Sequence, residues 1–162
     1  MLLRKANSAE IATVSDIYDL VRNGETCVWN ENYPTFDDAK RDFEADCLFV
    51  FEDGGEIIGC ASVEPVAEDD DLPFWRVCDG NHREISRIAI VPGHQGKGYA
   101  GIMVKLLMDE LECQGVSSIH LLAAKANPPA VKTYKKLGFE FIGECYRYGA
   151  DYFVCEKVIN YK

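Results

Sequence analysis

The chain has 162 residues, 48% of them hydrophobic, which is enough for one well-buried domain over residues 1–162 and too few for two. Its formal net charge of −10 argues against nucleic acid and anionic membrane as partners, since both require a basic face. No apolar run approaches the ~20 residues of a membrane helix, and Met1-Leu2-Leu3-Arg4-Lys5 lacks the apolar core of a signal peptide, so a cytoplasmic location is expected.

In chain order, Asn7 and Glu10 have the spacing of a helix start. Ile11, Val14, Tyr18 and Val21 then recur at helical period, and Gly24 stops the run. A second, shorter helix is predicted after Pro34-Thr35, turning Ala39 and Phe43 inward. Leu48-Phe49-Val50-Phe51, the turn signal Asp53-Gly54-Gly55 and the run Ile57 to Val63 read as an antiparallel hairpin. Residues 66–82 form a long polar connection holding Glu68-Asp69-Asp70-Asp71 and Trp75; loops of this length in compact domains are usually functional or mobile. Ile85 to Val91 is a strand ended by Pro92-Gly93. An amphipathic helix follows, with Met103, Leu106, Leu107 and Leu111 on one face and Gly115 at its end. Ser118 to Leu122 is a further strand. Asn127 caps a helix opened by Pro128-Pro129, with Val131, Tyr134 and Leu137 as its period and Gly138 as its stop. Phe139 to Tyr146 and Tyr152 to Val158 close the chain as a hairpin. The expected class is a layered α+β domain with a mixed sheet.

The seven cysteines are odd in number, show no C-x-x-C spacing and fall largely in apolar segments, so reduced core thiols are expected. His82, His94 and His120 are scattered, and no metal is expected.

The stretch Gln95-Gly96-Lys97-Gly98-Tyr99-Ala100-Gly101 lies between a strand and a helix. Glycines there let backbone N–H groups and a helix N-terminus hold phosphate. A P-loop requires Ser or Thr after the lysine, and Gly98 stands there. Gly96, Gly98 and Gly101 match G-x-G-x-x-G, but the next strand ends on Ala123-Ala124-Lys125 where a dinucleotide fold places an acid.

Ile88-Ala89-Ile90-Val91-Pro92 followed by Gln95, Gly98 and Ala100 resembles the GNAT superfamily of N-acetyltransferases, whose cofactor motif is Gln or Arg, two residues, Gly, one residue, then Gly or Ala. Asn127, Ala130, Tyr134 and Leu137-Gly138-Phe139 look like its second signature, and the order of elements matches over nearly the whole chain. The resemblance implies a twisted, mostly antiparallel sheet with one splayed parallel pair, flanked by helices. It implies acetyl-CoA as acyl donor, lying in the splay. Backbone groups of Ile88, Ala89 and Ile90 would meet the pantetheine and the thioester carbonyl. The turn from Gln95 to Gly101 would cradle the pyrophosphate, with Asn127 and Ala130 near the pantetheine. Tyr134 would protonate the leaving thiolate and Glu84 would take the amine proton. Trp29, Tyr33, Trp75 and Glu84 would frame the acceptor, a small-molecule or peptide amine; a homodimer is also open. Aromatics and acids suit a cationic amine, whereas Arg76, Arg83 and Arg87 could fix a carboxylate. A non-catalytic acyl-CoA-binding module and a dinucleotide enzyme are the alternatives.

Overall fold

The computed structural model describes residues 1–159. The strands are β1 (Leu2–Lys5), β2 (Leu48–Asp53), β3 (Glu56–Glu64), β4 (Arg83–Ile90), β5 (Ser118–Ala124), β6 (Glu140–Arg147) and β7 (Ala150–Val158). They form one sheet in the order β1-β2-β3-β4-β5-β7-β6. Every neighbouring pair is antiparallel except β4 and β5. The helices are α1 (Ile11–Val21), α2 (Phe36–Glu44), α3 (Tyr99–Cys113) and α4 (Pro128–Lys136).

The α+β class and the elements expected from periodicity are present, with β1 as an addition. Its four residues alternate too briefly to register as a strand, and it forms because β2 offers an edge to pair with. The side chain of Glu10 accepts the Asn7 N–H at 2.9 Å, and that of Asp38 accepts the Thr35 N–H at 2.7 Å, so both helix starts are satisfied. Gly54 and Gly55 turn β2 into β3 with φ of 59° and 82°, the doubly left-handed geometry of a tight hairpin.

Two apolar layers hold the sheet. On one face α3 lays Met103, Val104, Leu107 and Leu111 over Ile85, Ile119, Leu121 and Cys155. On the other, α1 and α2 lay Val14, Ile17, Tyr18 and Ala39 over Leu48, Val50, Cys60 and Ala89. The long connection covers the rest of that second face. Glu64, Glu84, His120 and Glu156 are register partners across β3, β4, β5 and β7, so their side chains share this face. Trp75 stacks on His120 at 3.8 Å, and the Arg76 and Val77 N–H groups donate to the Glu156 carboxylate, each at 3.0 Å. Phe74 lies over Gly143, where a Cβ would fall 2.5 Å from its ring. Residues 66–82 are therefore a strap docked on the sheet, with a short helical turn at Glu68–Asp71.

Two irregularities shape the centre. Between the pairs Cys60↔Ala89 and Ser62↔Ser86, Ala61 of β3 faces both Arg87 and Ile88 of β4. Arg87 takes φ of 48° to accommodate this bulge. Beside it, β4 and β5 pair only at Arg83↔Ile119 and Glu84↔His120, and then diverge. No helix among the described residues is long and apolar enough to cross a membrane.

Candidate active site

The divergence of β4 from β5 leaves backbone groups of β4 without a strand partner. The Val91 N–H donates to the Ile58 carbonyl at 2.8 Å, toward β3. Successive groups of a strand point to opposite sides, so the Ile90 N–H faces the gap. The Ile90 carbonyl is engaged, accepting the Gln95 side-chain amide at 2.9 Å, which ties the glycine turn to the end of the strand. Ala89 is buried against the α1–α2 layer.

At the mouth of the gap, Gly96 and Gly98 have φ of 75° and 83°, and an added Cβ at either would meet nothing within 4 Å. Glycine is required here by backbone conformation, and the space above the turn is open. Gly98 caps α3, whose first turn carries no acidic side chain. The N–H groups of Tyr99, Ala100 and Gly101 thus lie at the positive end of a 15-residue helix. Lys97 is exposed beside them. Gly101 has a packing role too, since a Cβ there would sit 3.4 Å from Thr133 of α4. Tyr99 donates its hydroxyl to Asp53 at 3.2 Å.

Across the gap, the Asn127 side chain accepts the Ala130 N–H at 3.3 Å, capping α4 as expected. Tyr134 of α4 is buried, edge-on to Phe139 with ring centroids 6.0 Å apart. Burial raises its phenol above the ordinary range, so it stays protonated through neutral pH. Its hydroxyl hydrogen-bonds no group among the described residues.

Glu84 occupies the last register pair before the strands part, and it is only 3% exposed. It is a central-sheet residue, the second of β4 rather than the residue before the strand. Burial, first, and the neighbouring acids Asp69, Glu64 and Asp70 push its carboxyl well above the usual range.

The three arginines that could have fixed a substrate carboxylate are engaged. Arg87, 8% exposed, holds Asp42 at 2.7 and 2.9 Å, Glu64 at 3.1 Å and the Tyr33 hydroxyl at 2.9 Å. Arg76 bridges Glu156 and Glu140, each at 3.1 Å. Arg83 donates to the His82 carbonyl at 2.8 Å. Of the expected acceptor aromatics, Trp29 is half-buried, edge-on to Tyr18 at 5.6 Å and packed on the α1–α2 layer. Tyr33 stacks on Tyr148 at 6.1 Å, which brings the loop between α1 and α2 to the last hairpin. Trp75 is committed to His120 and donates to the Asp69 carbonyl at 2.7 Å.

Sequence reasoning missed the clasp between the strap and the β6–β7 turn. Arg147 pairs with Asp69 at 2.9 Å and Asp71 at 2.8 Å, and Tyr148 donates to Asp69 at 2.9 Å. The acid run and the Tyr-Arg-Tyr triplet are both visible in the sequence, but nothing in it says that they meet.

Asp70, Cys78 and His82 place one potential metal ligand atom each within 4.8 Å of one another. The Gly80 N–H donates to His82 Nδ1 at 3.3 Å, which leaves the ring proton on Nε2, facing Asp70 at 3.0 Å. That tautomer makes the trio a hydrogen-bonded link within the strap, and its donor set does not fit a metal through Nε2. The seven cysteines are all free, with Cys47, Cys60 and Cys155 buried.

Comparison with known proteins agrees with this geometry. The chain matches the acetyltransferase (GNAT) family over residues 14–139. It is similar to the L-methionine sulfoximine/L-methionine sulfone acetyltransferase of Salmonella typhimurium, 26% identical over 145 residues, covering 86% of this chain and 80% of that one. It is also similar to the L-amino acid N-acyltransferase MnaT of Escherichia coli, 27% identical over 86% of this chain and 79% of that protein. Among solved structures, an acetyltransferase from Salmonella typhimurium with its cofactor acetyl-CoA superposes with a TM-score of 0.77 at 23% identity, covering 100% of this chain and 95% of that one. A GNAT-family acetyltransferase from Streptococcus agalactiae reaches 0.80 at 18% identity, covering 99% of this chain and 96% of that one. The strand splay, the left-handed glycine turn and the matched region together place this chain in the acetyltransferase (GNAT) family.

Proposed function

We propose that the chain transfers an acyl group, acetyl in the first instance, from acyl-CoA to a primary amine of a small molecule or peptide. Transfer is direct, with no acyl-enzyme, and residues 1–162 act as one cytoplasmic domain. The observation that carries the reading is the open β4–β5 gap, with the inward Ile90 N–H on one wall and the unengaged Tyr134 hydroxyl on the helix beyond the other. The pyrophosphate would rest on backbone amides from Gln95 to Gly101, with the pantetheine along Ile88 to Ile90 and beside Asn127 and Ala130. No step requires a metal ligand from the chain.

The chemistry follows from these groups. An alkyl ammonium of pKa about 10 has almost no free base at neutral pH. Glu84, whose buried carboxyl has a raised proton affinity, takes one proton from the ammonium. The nitrogen lone pair then forms the N–C bond, while the Ile90 N–H stabilises the oxyanion. Collapse breaks the C–S bond, and Tyr134 gives its proton to the thiolate, whose ordinary pKa is about 8.5. The second proton leaving nitrogen balances the one that Tyr134 supplied. Burial makes the phenol a weaker acid, but the same dry site raises the proton affinity of the thiolate.

The acceptor side carries Glu64, Asp69, Asp70 and Glu84, with Arg87 already committed to carboxylates. This charge balance favours an ammonium over a second carboxylate, in contrast to the amino-acid substrates named for the two bacterial relatives. The test is a panel of primary amines with acetyl-CoA, read by release of free CoA thiol. Tyr134→Phe should lower kcat by about 10²-fold or more while the acetyl-CoA KM changes little. Acetyl-CoA binding without thiol release from any amine would replace the enzyme with a binding module.

A further inference from the structure

The turn that joins β6 to β7 holds a residue unsuited to its backbone. Tyr148 and Gly149, the central residues between the paired Arg147 and Ala150, have φ of 54° and 78°, the doubly left-handed form of a tight hairpin. Asn or Gly takes the first of these places with little strain, whereas a bulky side chain there is an outlier that its surroundings must hold. The surroundings of Tyr148 come from three elements. Its hydroxyl reaches Asp69 at 2.9 Å and Glu68 at 3.1 Å in the strap. Its ring stacks on Tyr33 of the loop between α1 and α2, 6.1 Å away at 13°, and meets Tyr152 of β7 edge-on at 6.4 Å.

These partners put Tyr148 across the β4–β5 gap. The last strand pair is Glu84↔His120, and Arg87 and Ala124 lie beyond it, one on each diverging strand. Arg87 donates to the Tyr33 hydroxyl at 2.9 Å. Tyr152 is the register partner of Ala124 and, by strand alternation, shares the face of Glu156, which lies under the strap. Tyr148 touches both rings, so the tyrosines run from one wall of the gap to the other on the face that carries Glu84. Outside them lies a hollow of about 400 Å³ lined by Glu68, Asp71, Arg147 and Tyr148.

We propose that Tyr148 is a specificity-determining residue for the acceptor: it stands between the outer hollow and the gap, admitting narrow amines and excluding those branched next to nitrogen. The inference rests on the reading of the chain as an amine acyltransferase whose acceptor approaches over Glu84. The backbone of the turn is held by the hairpin and by the ion pairs of Arg147 with Asp69 and Asp71. The ring therefore yields only by turning about its own side-chain bonds, which breaks its contacts to Asp69, Glu68 and Tyr33 together. A wider acceptor needs a wider swing and forfeits more of these contacts.

The test is kcat/KM for a matched pair of amines: the unbranched amine of the panel with the fastest thiol release, and its analogue with a methyl group next to nitrogen. The wild type should prefer the unbranched amine by about 10-fold or more, the weight of one misplaced methyl group in a close-fitting site. Tyr148→Gly should erase most of that preference and leave the acetyl-CoA KM in place. Tyr148→Phe keeps the ring and its stack, and should keep the preference. Glycine fits the left-handed turn, so Tyr148→Gly is expected to fold, as checked by far-UV circular dichroism; Tyr148→Asn, which suits the same φ, is the second variant. A merely structural role would slow both amines in proportion and leave their ratio unmoved, and that result in an active enzyme sinks the Tyr148 role alone. A wild type without the preference, or loss of folding in both variants, overturns it as well. If no amine releases thiol from the wild type, the acyltransferase reading falls and takes the role of Tyr148 with it.

Discussion

Arg87→Met should be among the most damaging single substitutions in the protein. The guanidinium is buried, bonds Asp42 through two nitrogens and reaches Glu64 and Tyr33 as well. Asp42 is itself only 3% exposed, and its other short contact is the Ser62 hydroxyl at 2.6 Å. Methionine fills most of the arginine stem, so the loss is electrostatic rather than a cavity. Removing one partner of a buried ion pair costs about 3–5 kcal/mol, because the other charge is left uncompensated. At roughly 2–4 °C per kcal/mol for a chain of this size, the Tm should fall by about 6–20 °C. Urea unfolding followed by far-UV circular dichroism measures it, with an unchanged m-value as the check that the folded state is intact. Adding Asp42→Asn removes the orphaned charge and keeps the Ser62 hydrogen bond. The double variant should therefore be more stable than Arg87→Met alone, with a coupling of up to about 3 kcal/mol. A loss under about 1 kcal/mol, or strict additivity of the two substitutions, would refute the argument. Activity should fall along with stability, because Arg87 sits in the bulge that sets the direction of the Ile88 and Ile90 amides.

Glu84→Gln should be more stable than the wild type at pH 8 while losing activity. The raised proton affinity of Glu84 means that ionising it in the fold costs stability as pH rises above the unfolded value near 4.3. A lower Tm for the variant would place Glu84 in a polar environment, against its burial. Glu156 runs the other way: burial raises its carboxyl, but hydrogen bonds from Val77, Arg76 and Ser118 outweigh this and lower it. Its contribution is present above about 4.3 and lost as pH falls through its lower folded value, so Glu156→Gln should flatten the acid side of the Tm–pH curve. Gly143→Ala drives a methyl into the Phe74 ring and should cost about 1–3 kcal/mol by overpacking. Hydrogen exchange should speed up first in the strap, at Arg76 and Val77; uniform change across the sheet would deny the strap its separate docking.

Much of this protein was legible in its chain. The helical period of Ile11, Val14 and Tyr18, the Gly-Gly turn after Asp53 and the capping Asn127 are local signals, and local hydrogen bonds and backbone sterics enforce them. The glycine turn after Gln95 was readable for the same reason, since left-handed φ at Gly96 and Gly98 is a property of residues in sequence. Strand β1 was not, because four residues carry too little period and its pairing is set by β2. The burial of Glu84 was not legible either. A glutamate near a strand end reads as a surface residue, and its burial depends on the strap folding back over the sheet.

By itself, the sequence determined the class of fold, the glycine turn from Gln95 to Gly101 and the capped helix that carries Tyr134, all of which rest on short segments with their own physical logic. Only the tertiary structure decided which charged side chains meet under the strap. Asp69, Glu84, Arg147 and Tyr148 come from three distant stretches of chain, and charge there is a matter of who faces whom. Seven acids and arginines that looked interchangeable in the sequence, Asp42, Glu64, Asp69, Glu84, Arg76, Arg87 and Arg147, sorted into committed ion pairs on the one hand and, in Glu84, a buried carboxyl with a raised proton affinity on the other. Coulomb energy depends on separation and burial, and neither is a property of sequence spacing.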